Sequence, residues 1–244
     1  MRKTVEYILN FMYNKYMNVY AISDLHLSFS EDKPMDIFGA CWDNYWQKIC
    51  DDWRQKVCND DIVLIAGDIS WAMTLNNALA DIREIAKLPG KKVLIKGNHD
   101  YWWISLGKIR DAIPENFYVI QNDALKFGDY VIAGSRLWNV YSQSADDKKI
   151  NAREAMRLEM SLNKASQLRE QGDKLIVMCH YPPFDATFSK SVYTDIFKKF
   201  QADCVVYGHL HGKDCRAKNY LELNNIKYYL TSCDKVDNKL VKIY

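Results

Sequence analysis

No apolar run in the 244-residue sequence approaches the roughly 20 residues that span a bilayer, so a soluble protein is expected. Excess charge is missing as well. A net charge of +2 gives no support to a nucleic-acid platform, and the pairs Lys148-Lys149 and Lys198-Lys199 read as solvated helix faces. None of the seven cysteines forms a Cys-x-x-Cys pair and their number is odd, which argues against a disulfide framework or a zinc knuckle. Reduced thiols in a cytoplasmic protein are expected instead. Internal repeats and low-complexity linkers are absent too. The segment 1–16 lacks the clean apolar stretch and small-residue site of a secretory signal, because Glu6, Asn10, Asn14 and Lys15 interrupt it. It reads as an appendage, with Met17 as an alternative start of a single domain over 17–244.

What is present is ordinary globular composition, 48% hydrophobic and 26% charged, in a chain long enough to bury a large core. Val19 to Ser23 is strand-like and runs into Asp24-Leu25-His26, where extended geometry points two ligand-type side chains the same way. Residues 35 to 58 carry Trp42, Trp46, Ile49, Trp53 and Val57 at spacings of three and four, the stripe of an amphipathic helix. Asp61 to Ala66 predicts a buried strand ending in Gly67-Asp68, and Leu75 to Leu88 a helix stopped by Pro89-Gly90. Lys91 to Lys96 is the next strand, ending in Gly97-Asn98-His99-Asp100, and Tyr101 to Ile113 reads as helix.

Phe117 to Gln121 and Tyr130 to Gly134 read as strands joined through turns at Asn122-Asp123 and Gly128-Asp129. Arg136 beside Trp138 reads equally as a holder of a phosphate or ring and as a cation-π pair. A long charged helix is expected over 146 to 171, ended by Gly172, with Arg153 and Arg157 on one face, read first as solvent-exposed ion pairs and second as contacts to a substrate. Lys174 to Cys179 ends in His180-Tyr181-Pro182-Pro183. A short helix over Tyr193 to Phe200 leads to the strand Cys204 to Tyr207, which ends in Gly208-His209-Leu210-His211-Gly212. Ile226 to Thr231 and Lys239 to Tyr244 look like a final pair of strands.

Five predicted strands thus end in candidate metal ligands, and those ends hold all five histidines of the chain, His26, His99, His180, His209 and His211. Histidines serving ordinary core or surface roles would fall among the helices too. Loops beyond the carboxyl ends of strands in open α/β sheets can converge on one crevice.

The ordered set Asp24-Leu25-His26, Gly67-Asp68, Gly97-Asn98-His99-Asp100, His180 and Gly208-His209-Leu210-His211 resembles the signature of the calcineurin-like metallophosphoesterases, from about Met17 to the end of the chain. The resemblance implies a four-layer α-β-β-α sandwich, two mixed β-sheets packed face to face with helices outside. It would put Asp24, His26 and His211 on one divalent ion and Asn98, His180 and His209 on the other, with Asp68 bridging. A hydroxide held between two such ions would attack phosphorus while the pair clamps the phosphoryl oxygens. Mixed imidazole and carboxylate ligands suit Mn²⁺, with Fe or Zn²⁺ as alternatives.

By the same resemblance His99 is no ligand but lies over the phosphate as the catalytic acid. Asp100 has two open readings, as the carboxylate that sets the His99 tautomer and as the cap of the next helix. Arg136 and Tyr181 are weaker candidates for substrate contacts. The expected activity is hydrolysis of a small phosphorylated metabolite or nucleotide, monoester or diester. A nuclease acting on DNA or RNA is the alternative, and a non-catalytic scaffold a third reading. No membrane partner is expected, and nothing in the sequence sets the oligomeric state.

Overall fold

Alternation along short apolar runs decides which way each strand faces. The computed structural model describes residues 17–141 and 144–244, so the segment 1–16 lies outside the described residues. Strands β1 (Val19–Ile22), β2 (Ile62–Ile65), β3 (Lys91–Leu94) and β4 (Phe117–Val119) pair in parallel, with Val19 opposite Ile62 and Leu64 opposite Val93. At one edge β11 (Val241–Lys242) pairs antiparallel with β1. The second sheet uses β5 (Ala124–Phe127), β6 (Tyr130–Ser135), β7 (Lys174–Cys179), β8 (Cys204–Tyr207), β9 (Tyr220–Leu223) and β10 (Ile226–Leu230), in the order β5-β6-β7-β8-β10-β9. Its four central strands are parallel and its two edges antiparallel.

Val19, Ala21, Ile62, Leu64 and Val93 from the first sheet meet Ile132, Ile176, Met178, Cys204 and Val206 from the second in a shared buried layer. The alternate residues point outward. Tyr20, Ile22, Val63, Ile65 and Leu94 pack under helices α1 (Tyr45–Lys56), α2 (Leu75–Ala86) and α3 (Leu106–Ala112). Val131, Leu175, Val177, Val205 and Tyr207 pack under α4 (Ala145–Leu168) and α5 (Val192–Lys199). Three apolar layers between four layers of structure make the expected sandwich. Truncating a fully buried residue of the middle layer, as in Leu64→Ala, is expected to cost about 2–5 kcal/mol because close-packed neighbours refill the space only in part.

Several boundaries differ from the sequence reading. The helix expected over 35 to 58 begins only at Tyr45, because Gly39 at φ 119° and Asn44 at φ 51° break the repeat into two short turns ahead of it. Trp42 still reaches the core from the second of those turns, 2% exposed. Tyr101 to Ser105 is not helical, since Trp102 is drawn inward to donate its indole N–H to Asp100 at 3.0 Å. Ala124–Phe127 is a strand, where only a turn was expected, and it moves the chain from the first sheet to the second. The long helix stops at Leu168, with Arg169 already extended ahead of Gly172. The last two strands do not pair: β10 joins β8 and β9, while β11 joins β1 in the other sheet.

Candidate metal centre

The loops that leave β1, β2, β3, β7 and β8 at their carboxyl ends meet above the seam between the sheets. Two of these meetings are so close that only glycine fits. A Cβ on Gly97 would collide with the backbone and carboxylate of Asp68, and one on Gly208 with Ser23 and Asp24. Asp24, His26, Asp68 and His209 hold left-handed backbone, at φ 56°, 46°, 51° and 68°. Non-glycine residues rarely adopt this conformation, and surrounding hydrogen bonds must hold it. The Asp24 amide donates to the Gly67 carbonyl at 3.0 Å and the His26 amide to the Asp68 carbonyl at 3.0 Å. The His209 amide donates to the Asp24 carboxylate at 3.1 Å, which ties β8 to β1.

Every ligand-type residue expected from the sequence reaches this place. Donor atoms of Asp24, His26 and His211 lie within 4.8 Å of one another, and so do those of Asp24, Asp68 and His180. The Asn98 amide oxygen is 2.7 Å from His180 Nε2 and 2.9 Å from His209 Nδ1. Asp68 Oδ1 accepts the His99 amide at 2.8 Å, while Oδ2 stands 3.7 Å from His26 Nε2 and 3.4 Å from His180 Nε2. No hydrogen bond reaches Asp68 Oδ2, either ring nitrogen of His26, or His99 Nδ1, although all are buried. Buried polar atoms almost always find a partner, so this group of orphans fits a cation-binding role.

Protonation points the same way. His180 Nδ1 lies 3.0 Å from the Ala66 carbonyl, which fixes a hydrogen there and turns Nε2 towards Asn98 Oδ1 and Asp68 Oδ2. Three electron-rich atoms then converge, and a proton or a metal must lie among them. Burial works against a charged His180, yet the Asp68 carboxylate lifts its pKa to about 9. Asp68 in turn lies below the ordinary carboxylate range despite its burial, through His180 first and His26 next. Burial pushes His26 down to about 4 against the pull of Asp24 and Asp68, and burial with the neighbouring His180 does the same to His209. Neutral imidazoles are the form that binds metal.

Asp100 meets neither of its expected roles. Its carboxylate accepts the amides of Asp68, Ile69, Ser70 and Gly97 and the Trp102 indole, at 2.7 to 3.2 Å, and has no bond to His99. The next helix starts only at Leu106, so Asp100 does not cap it. It clamps the β2 and β3 loops together. Burial and the charge of Asp68 push its carboxyl up to about 6, against the pull of the amides. Arg136 lies on Trp138 at 4.9 Å, the cation-π alternative, and its carbonyl accepts the amides of His180 and Tyr181. Tyr181 is buried against His209, with ring centres 4.2 Å apart.

Trp71 escaped the sequence reading. It stacks on His26 at 4.7 Å and leans on His99 at 4.6 Å, so one indole positions both imidazoles. Its position shortly after Gly67-Asp68 was the available signal. Ser23 and Cys233 were also missed: Ser23 Oγ donates to the Asp24 carboxylate at 2.6 Å and Cys233 Sγ to the Asp24 carbonyl at 3.1 Å.

No curated protein sequence matches this chain. Solved structures share its fold at low identity. A protein of unknown function from Aquifex aeolicus matches with 17% identity over 93% of this chain and 95% of that one, at a TM-score of 0.51. TT1561 of Thermus thermophilus matches with 12% identity over 93% and 97%, at a TM-score of 0.60. The family model described as calcineurin-like phosphoesterase matches residues 17–213, the span that carries all the strand-end loops of the centre. By that match the chain belongs to the calcineurin-like phosphoesterases.

Proposed function

We propose that this chain hydrolyses a P–O bond of a small phosphorylated metabolite or nucleotide, using two divalent ions. Asp24, His26 and His211 would hold one ion, Asn98, His180 and His209 the other, and Asp68 would serve both. The observation that supports this most is the place of Asp68 Oδ2, which has no hydrogen bond and faces one histidine of each set, at 3.7 and 3.4 Å. The oxygen, nitrogen and amide donors suit Mn²⁺, with Fe and Zn²⁺ next. When bound, such a pair supplies Lewis-acid stabilisation of a phosphoryl group and a lowered pKa for water.

The chain's own groups do the rest. His99 is the proposed acid, placing a proton on the leaving oxygen; its Nδ1 has no partner and its ring is held by Trp71. Asp100 acts as a positioning residue, since it fixes the loops that carry Asp68, Asn98 and His99. Arg136 and Tyr181 are proposed contacts to the substrate. No helix among the described residues is long and apolar enough to cross a membrane, and a cytoplasmic site of action is part of the proposal.

The test is hydrolysis of paired aryl phosphate monoester and diester substrates by Mn²⁺-reconstituted protein, with His99→Ala as the control for contaminating phosphatase. Metal-dependent turnover that falls about 100-fold or more in His99→Ala, with both ions retained, is expected. Loss of an ion in that variant would make His99 a ligand, and absence of turnover on both substrates would favour a scaffold. A strong diester preference with salt-dependent binding to DNA or RNA would turn the reading towards a nuclease.

A further inference from the structure

A cavity of about 320 Å³ lies beside the centre, lined by Lys96 from the β3 loop, Ser135 and Arg136 from the end of β6, and Arg153, Glu154 and Arg157 from α4. Glu154 is buried and is the only carboxylate in that lining among the described residues. Its Oε2 accepts Ser135 Oγ at 3.0 Å and its Oε1 accepts Arg157 Nη1 at 2.7 Å. Arg136 and Arg153 stand farther from the same oxygen, at 3.8 and 3.9 Å. Lys96 makes no hydrogen bond or ion pair among the described residues. Arg153 and Arg157 form ion pairs and stay about half exposed, as the sequence reading expected, but the partner they share is a buried acid.

Four cations face one carboxylate around a single cavity, an excess of three positive charges in its lining. A structural role for Glu154, anchoring α4 on β6, accounts for Ser135 and Arg157 but leaves Lys96 and Arg153 without a purpose. Like charges gathered at a partly buried surface repel, and an anion relieves that repulsion. Guanidinium groups suit phosphate because their planar forks donate in pairs. Two residues of the lining connect the cavity to the loops of the metal centre. Lys96 lies two residues before Asn98, and the Arg136 carbonyl holds the amides of His180 and Tyr181 at 3.2 and 3.0 Å. A ladder of rings, Arg136 on Trp138, Trp138 on Tyr181 and Tyr181 on His209, joins the two.

We propose that this cavity is the subsite for a second phosphate group, carried by the same molecule whose phosphoester is cleaved at the metal centre. The proposal rests on the hydrolase reading and narrows it to substrates bearing two phosphates. Lys96 and the three arginines take the group that is not cleaved, and Glu154 holds Arg157 in place to receive it.

The experiment compares 1,4-butanediol bisphosphate with butyl phosphate, which differ by the second phosphate. Hydrolysis is measured with Mn²⁺-loaded protein, and binding of both probes by calorimetry on Mn²⁺-loaded His99→Ala. The bisphosphate is expected to show KM and Kd at least about tenfold lower. That ratio should shrink about tenfold in Lys96→Gln and in Arg157→Gln and recover in Arg157→Lys, with thermal melting to confirm that each variant folds. Equal values for the two probes, or a preference that survives both neutralising variants, would overturn the subsite. Selective binding without hydrolysis in the wild-type protein would keep the subsite and remove the hydrolase reading. Hydrolysis without selectivity would do the reverse.

Discussion

At the amino end of the first sheet, Asp61 is buried and takes three donors, the backbone and side-chain amides of Asn18 and the backbone amide of Cys58, at 2.8 to 3.1 Å. Lys92, equally buried, donates its ammonium to the Leu88 carbonyl and lies over the Phe117 ring at 5.6 Å. At the carboxyl end of the same strands, Asp68, His26 and His99 are also buried or half-buried, and each carries an atom with no partner. Both ends bury polar groups beside the same strands. At one end both groups have a partner within the protein, and at the other each of the three has an atom with none. Incomplete satisfaction, rather than burial, sets the candidate site apart.

Asp100 stands between these cases. It lies among the unpartnered groups yet is the most fully bonded carboxylate there. Asp100→Ala would leave four amides and an indole N–H without their acceptor, and a loss of about 3–5 kcal/mol in unfolding free energy is expected by denaturant titration. An effect below about 1 kcal/mol would mean that the loops are held by other means. Asp61→Ala sharpens the contrast from the other end. About 2 kcal/mol should be lost, since three donors lose their acceptor, while metal content stays unchanged. Any fall in bound metal would show that the two ends are coupled.

Lys92 gives the most specific test. Burial lowers its pKa to about 8, below the ordinary 10.5 of an exposed lysine. Between those values the unfolded chain binds a proton that the folded chain has released, so stability rises as pH goes from about 8 to 10.5. The rise should be missing from the stability curve of Lys92→Met, measured by urea unfolding across that range. The same slope in wild type and variant would assign it to another group.

The site was legible in the sequence because each β-strand that supplies it is a short apolar run that stops at a glycine or a ligand-type side chain. Strand ends can be read locally, and five of them together placed Asp24, Asp68, Asn98, His180 and His209 at one crevice. Ala124–Phe127 was not legible, since four residues between two turn signals carry too little pattern. Asp100 was misread because its donors at Asp68, Ile69 and Ser70 come from a loop about thirty residues earlier, which no local rule relates to it. Trp71 and Glu154 were missed for the same reason. Stripes on helices mark what is buried, and Glu154 falls within such a stripe although it is charged.

The direct test of the central claim is the number of Mn²⁺ ions bound per chain, measured by equilibrium titration of wild-type protein and Asp68→Ala, with circular dichroism to confirm folding. Two ions in the wild type, and loss or marked weakening of both in Asp68→Ala, are the predicted result, because the unpartnered Asp68 oxygen faces a histidine of each set. Two tightly held ions in Asp68→Ala, or none in the wild type, would contradict it.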